Sequence, residues 1–243
     1  DEKFFNLSPR EALNTDPQHR LLLECVVDAL DDAGYKPREA GGKQGWDKSR
    51  MGVFVGSATD SYQNNLAGQI DAFFCPGTIR GFASGRISHY FGFQGPSIVY
   101  DTACSSGLVS VHAACQSLVL DECDAAIASG SNMLTSPEMF IGLSKGFFIS
   151  NTGGCRTFDE TADGYCRAEG VGVLILKRLK DAIRDNDKID AVIVASGTNQ
   201  SGQAESLTMP HAPTQTVLFE RNCARASIPP NAIRAVEAHG TGT

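Results

Sequence analysis

The residue whose type and setting best suit covalent chemistry is Cys104, in the run Ser97-Ile-Val-Tyr-Asp-Thr-Ala-Cys-Ser-Ser-Gly-Leu. Ile98, Val99 and Tyr100 favour an extended strand, and the chain then breaks into small residues before a helix-like stretch. A thiol at that junction lies near the positive end of the following helix. The free N–H groups there stabilise a thiolate and can hold the oxygen of a tetrahedral intermediate. Ala103, Ser105, Ser106 and Gly107 leave room for a substrate to approach. The chemistry predicted is thiol-mediated acyl transfer. The alternative is a buried cysteine at a crowded turn, because free cysteine is among the most buried residue types. None of the other cysteines, at 25, 75, 115, 123, 155, 166 and 223, shares this setting, and Cys25 and Cys115 fall on apolar helical stripes that read as core.

A base or electrostatic partner is the next requirement, and His239 in Ala-His-Gly-Thr-Gly-Thr is the best placed of the five histidines. It follows the strand-like run Arg234-Ala-Val-Glu on a loop of small residues. Ligands of open α/β sheets bind beyond the carboxyl ends of strands, where such a histidine would stand. His112 lies on the helix predicted after Cys104, about 12 Å along it by helical rise, and reads as a core residue. His19 and His89 read as structural or surface groups, and His211 sits in a loop that could line a cleft. Cys104 and His239 are 135 residues apart, an order and spacing also found in papain-like proteases. The local signature of those proteases is absent and the single tryptophan, Trp46, is far from both residues in sequence.

Composition narrows the classes. The net charge of -7, from 28 acidic and 21 basic residues, and the lack of any long Lys/Arg block argue against a nucleic-acid surface. No CxxC pair or close Cys/His cluster suggests a metal site, and eight cysteines in 243 residues are too few for a disulfide scaffold. No signal peptide, lipidation signal or apolar run long enough to span a membrane is evident, so the expected location is cytoplasmic, with the cysteines as thiols. No run matches GxGxxG or GxxxxGK[ST], which leaves a phosphate-cradling role without support. The first residues carry no initiator methionine and the last stop on a glycine-rich turn, so the sequence reads as an internal fragment.

The elements that must position these residues alternate along the chain. Asp16-Pro17 caps a helix with the stripe Leu21, Leu22, Cys25, Val26, Ala29, Leu30 and Ala33, closed by Gly34. A loop over 41–50 leads to a strand from Met51, and the stretch 60–96 suggests helices and loops packed over a sheet. The helix after Cys104 is expected to line its buried stripe with Val109, Val111, His112, Cys115, Leu118 and Val119. Strands are predicted at 124–129, 172–177, 189–196 and 233–237, and helices at 179–184 and 213–226. Strands without clean alternation, separated by helices, imply an α/β domain whose sheet is covered on both faces.

Five segments together resemble a known family: Asp16-Pro-Gln-His-Arg, Asp101-Thr-Ala-Cys-Ser-Ser-Gly-Leu, Ala162-Asp-Gly-Tyr-Cys-Arg-Ala-Glu-Gly-Val-Gly, Asn199-Gln-Ser-Gly and Glu237-Ala-His-Gly-Thr-Gly-Thr. They look like the ordered motifs of the β-ketoacyl synthase (ketosynthase) domain of type I polyketide synthases, and Gly153-Gly-Cys-Arg-Thr-Phe-Asp and Thr208-Met-Pro-His look closer to the iterative fungal ones. The resemblance implies an α/β, thiolase-like layered αβαβα fold. Residues 1–243 would form a partial ketosynthase domain, about 1–205 as its N-terminal half and about 206–243 as the start of its C-terminal half. It further implies decarboxylative Claisen condensation, with Cys104 and His239 catalytic and Thr241 and Thr243 contacting the pantetheine arm. The second catalytic histidine and its supporting lysine and glutamate would lie beyond Thr243. No cofactor is expected to be bound, because the substrates ride on the phosphopantetheine of an acyl carrier protein. The implied partners are that carrier, an acyltransferase and other domains of the same polypeptide, and a second copy in a homodimer formed partly through the strand at about 97–101. A fatty-acid-type β-ketoacyl synthase and a catalytically inactive dimeric scaffold are the alternatives.

Overall fold

A computed structural model describes residues 1–36 and 45–243. The loop expected over 41–50 therefore lies in part outside the described residues. The helices are α1 (Pro9–Asn14), α2 (Pro17–Asp32), α3 (Tyr62–Asn65), α4 (Phe74–Thr78), α5 (Phe82–Phe91), α6 (Ser106–Val119), α7 (Glu138–Lys145), α8 (Leu179–Asp185) and α9 (Ala212–Ala226). The strands are β1 (Met51–Ser57), β2 (Ser97–Tyr100), β3 (Ala125–Asn132) and β4 (Gly170–Lys177). The backbone divides into two compact units, one of residues 1–188 with 239–243 and one of 189–238.

The first unit is built on a sheet of order β2-β1-β3-β4. β1 runs parallel to both β2 and β3, and β4 returns antiparallel to β3. Alternation across the pleat sends β-strand side chains to two cores. Met51, Val53, Val55, Ala125 and Ile127 meet Leu22, Val26 and Leu30 of α2 and Ile87 of α5 on one face. Phe54, Ala126 and Ala128 meet Ala114 and Leu118 of α6 on the other. Burial of every β1 residue explains why its sequence lacks polar alternation. Each fully buried Leu, Val or Ile contributes roughly 1.5–3 kcal/mol relative to exposure.

α2 forms as its sequence dictates. Asp16 accepts from the Gln18 N–H at 2.8 Å, Pro17 occupies the first turn, and Gly34 supplies the left-handed residue after the helix at φ 65°. α6 differs from expectation. Its buried face is Ser106, Ser110, Ala114, Ser117 and Leu118, whereas Val119 is 75% exposed. Small side chains let the helix sit close on the sheet, and a hydrophobic pattern does not reveal such a face. The strands expected at 189–196 and 233–237 are also not formed. Their β-branched residues favour extension, but a strand needs a ladder partner and none of the described residues supplies one.

The second unit is organised by α9. His211 Nδ1 and Thr214 Oγ1 are 2.7 Å apart at its start, and Asn199 Nδ2 donates to the Thr214 carbonyl at 2.7 Å. Arg225 donates back to the Ser196 carbonyl at 3.2 Å.

Candidate active site

Cys104 lies in the turn between β2 and α6 and is exposed in this chain. The turn is tightly bonded. Asp101 Oδ1 accepts from the Ala103 N–H at 3.1 Å, and Ser106 Oγ donates to the Ala103 carbonyl at 2.6 Å while accepting from the Thr102 N–H at 2.9 Å. These bonds hold Ala103 at φ 54°, a left-handed conformation costing an alanine roughly 1–2 kcal/mol. Strain of this kind persists only where the surrounding structure holds it, as these bonds do. No side chain caps the N-terminus of α6, so its first-turn dipoles are directed at the cysteine turn.

The helix behind Cys104 is seated on bare backbone. A Cβ at Gly56, near the end of β1, would lie 2.4 Å from the carbonyl atoms of Ser106 and 2.5 Å from Gly107 N. Only glycine permits that approach. Ser110 Oγ donates to the Ser129 carbonyl at 2.8 Å, tying the next turn of α6 to β3.

His239 is exposed and begins the segment that belongs to the same compact unit as Cys104. The strand expected to deliver it is absent. The backbone next to it is held instead by the loop preceding β4: Thr157 Oγ1 donates to the Gly240 carbonyl, and the Gly164 N–H donates to the Gly242 carbonyl at 3.1 Å. The loop returns to the sheet at Gly170, which pairs with Asn132 at the carboxyl end of β3. Cys104 follows the carboxyl end of β2, parallel through β1 to β3, so Cys104 and the loop that enters β4 both stand at the carboxyl end of the parallel strands. Thr241 and Thr243 place their hydroxyls 2.9 Å from each other.

Two features escaped sequence reasoning. Arg80, from the stretch 60–96 that carries no clear pattern, donates to the Asp101 carboxylate and to the Asp60 carboxylate, the latter at 2.8 Å. Gln18, within the Asp-Pro-Gln segment, is buried and accepts from Ser57, Thr59 and Ser131 at 3.1–3.4 Å, so it links the carboxyl ends of β1 and β3. The segment Asp16-Pro-Gln-His-Arg contains Gln18 but gives it no role. Among the described residues no helix is long and apolar enough to cross a membrane.

Comparison with known proteins supplies the wider context. The N-terminal domain model of β-ketoacyl synthases matches residues 1–182, and the C-terminal domain model matches 190–243. The chain is 51% identical over 243 residues to the orsellinic acid synthase ArmB of Armillaria ostoyae, covering all of this chain and 11% of that protein. It is 49% identical to the non-reducing polyketide synthase aoiG of Aspergillus oryzae, again covering 11% of the relative. Among solved structures, a ketosynthase from module 6 of the bacillaene synthase of Bacillus subtilis superposes over the whole chain with a TM-score of 0.90 at 37% identity, the chain covering 41% of it. The oxazolomycin ketosynthase of Streptomyces albus matches with a TM-score of 0.90 at 38% identity and the same 41% coverage. The fold is thus the thiolase-like one of the ketosynthases, and the chain belongs to the β-ketoacyl synthase family, as a ketosynthase domain of the type I polyketide synthase kind.

Proposed function

We propose that this chain is part of the ketosynthase of a longer, fungal-type non-reducing polyketide synthase and that Cys104 is its acyl-accepting thiol. The observation that carries the reading is the exposed Cys104 on a strained turn at the uncapped N-terminus of α6, in a chain that matches the family over nearly its whole length. The Cys104 thiolate attacks the acyl thioester of a carrier protein, and the carrier thiol departs. A malonyl-carrier thioester then loses carbon dioxide, and the electron pair left on carbon attacks the Cys104 thioester. The carbon–carbon bond forms as the Cys104 thiolate leaves, and the carrier holds a β-ketoacyl chain with two more backbone carbons.

His239 supports the decarboxylation and stabilises the developing enolate, and Thr241 and Thr243 contact the pantetheine arm. The anchoring of Gly240 and Gly242 on the loop before β4 supports this, because it fixes the backbone on either side of Thr241 and next to His239 and Thr243, on a loop that enters the sheet at the carboxyl end of β3. A thioester suits the step because it keeps the acyl group close in energy to the carrier thioester. The partners are the acyl carrier protein, an acyltransferase and further domains of the same polypeptide, and a second copy docking along β2. That strand ends the sheet and carries Ile98 at 42% exposure, as an edge awaiting a partner would. The protein would work in the cytoplasm without a resident cofactor.

The named relatives are polyketide synthases, which favours that pathway over fatty-acid elongation. The test is condensation by the full-length protein supplied with acyl- and malonyl-carrier thioesters. Release of carbon dioxide together with a β-ketoacyl product is expected from the wild type and is lost in His239→Ala. Unchanged product formation by His239→Ala contradicts its assignment.

A further inference from the structure

Arg80 lies between α4 and α5 and reaches three acceptors at once. It donates to the Ala58 carbonyl at 3.1 Å, to Asp60 Oδ2 at 2.8 Å and to Asp101 Oδ2. Ala58 and Asp60 follow the end of β1, while Asp101 follows the end of β2. These strands are parallel neighbours, so one guanidinium crosses between their exits. The other oxygen of Asp101 accepts the Ala103 N–H. One carboxylate therefore links Arg80 directly to the left-handed residue that precedes Cys104.

We propose that Arg80 is a positioning residue for the nucleophile turn: it immobilises the Asp101 carboxylate that keeps Ala103 left-handed, and through it sets the direction of the Cys104 thiol and N–H. The proposal rests on the reading of Cys104 as the acyl-accepting thiol. An alanine released from this hold relaxes toward negative φ and rotates the peptide that carries the Cys104 N–H. A lysine cannot replace the arginine, because a single ammonium lacks the planar fork that meets acceptors lying in different directions.

The test uses the full-length protein and compares two reactions of Cys104. Attack on a carrier-bound thioester needs both the thiolate and an aimed N–H, whereas alkylation by iodoacetamide needs the thiolate alone. Arg80→Met is expected to slow acylation of Cys104 at least about tenfold, while its alkylation stays within about threefold of wild type. Adding Ala103→Gly, which reaches positive φ without a Cβ penalty, is expected to restore acylation several-fold, and Arg80→Lys stays slow. Wild-type acylation by Arg80→Met refutes the proposal, as does a loss that Ala103→Gly leaves untouched or that Arg80→Lys repairs fully.

Should Arg80→Met fail to fold, Asp101→Asn serves instead. Its amide oxygen still accepts from Ala103, but its hold on Arg80 is weakened. Slower acylation with preserved alkylation supports the proposal, and a wild-type rate contradicts it. Absence of acylation at Cys104 in the wild type is a separate result, which refutes the underlying assignment and the proposal with it.

Discussion

Gly56→Ala is the sharpest perturbation of the seat beneath Cys104. The added Cβ would meet the Ser106 carbonyl atoms at 2.4 Å, against the 3.4 Å at which ordinary contact begins. The neighbours are backbone and no side chain can swing aside, so α6 must retreat from β1 by about 1 Å, the difference between those two distances. Overpacking of this kind costs about 1–3 kcal/mol. For a domain of this size that lowers the melting temperature by about 2–12 °C. A displacement of 1 Å at a reacting group costs on the order of 100-fold in rate, so acylation of Cys104 should fall far more than the melting temperature suggests. The assay is the rate of Cys104 acylation by mass spectrometry beside a thermal melt of the same sample. Gly85→Ala is the control: the site is inside α5 with nothing within 4 Å of the new methyl, so stability should rise by about 0.5–1 kcal/mol with acylation unchanged. A Gly56→Ala protein with wild-type melting and acylation would refute the claim that bare backbone at Gly56 seats α6 beneath Cys104.

Two further predictions concern the buried polar groups around α2. Gln18→Leu keeps the volume but strands the hydroxyls of Ser57, Thr59 and Ser131 and removes the bond to the Thr59 carbonyl, so a loss of about 1–3 kcal/mol is expected by chemical denaturation. An unchanged denaturation midpoint would show that those groups do not depend on Gln18. His19 is buried beside Arg86, and burial first, then that charge, pushes its pKa down to about 4 from its ordinary value near 6.5. The unfolded chain therefore takes up this proton first as pH falls. Stability is full above about pH 6.5 and declines toward pH 4, by about 3 kcal/mol in all. Asp16, whose carboxyl burial raises, contributes with the opposite sign as pH rises above the ordinary carboxylate value, so the readout is the difference between wild type and His19→Gln. That difference should shrink steadily between pH 6.5 and 4, and parallel curves would contradict the assignment.

Local signals were legible where local physics decides. The cap at Asp16, the proline at 17 and the 22/26/30 spacing specify α2 without help from the rest of the chain. The break from an apolar run into Ala103-Cys104-Ser105 likewise marks the turn between β2 and α6. The buried face of α6 was not legible, because Ser106, Ser110 and Ala114 have no hydrophobic signature and the close seating of the first turn depends on Gly56 of β1 and Gly130 of β3. Residues 189–196 and 233–237 look like strands because propensity is local, whereas a ladder partner is not. Arg80 is silent in sequence: it lies 21 positions from Asp101, and the two meet because the α4–α5 connection passes the neighbouring exits of β1 and β2. The support of His239 was misjudged for a related reason. Its neighbours Gly240 and Gly242 are held by Thr157 and Gly164, about 80 residues earlier in the chain.

The most direct test of the central claim is peptide mapping by mass spectrometry of the full-length protein after incubation with an acyl-carrier thioester, beside a Cys104→Ala variant. The account predicts an acyl adduct on the Cys104 peptide that is absent from the variant, while exposed Cys75, Cys155 and Cys166 stay unmodified. A folded wild-type protein that gives no adduct with several acyl donors, or carries it on another cysteine, would contradict it.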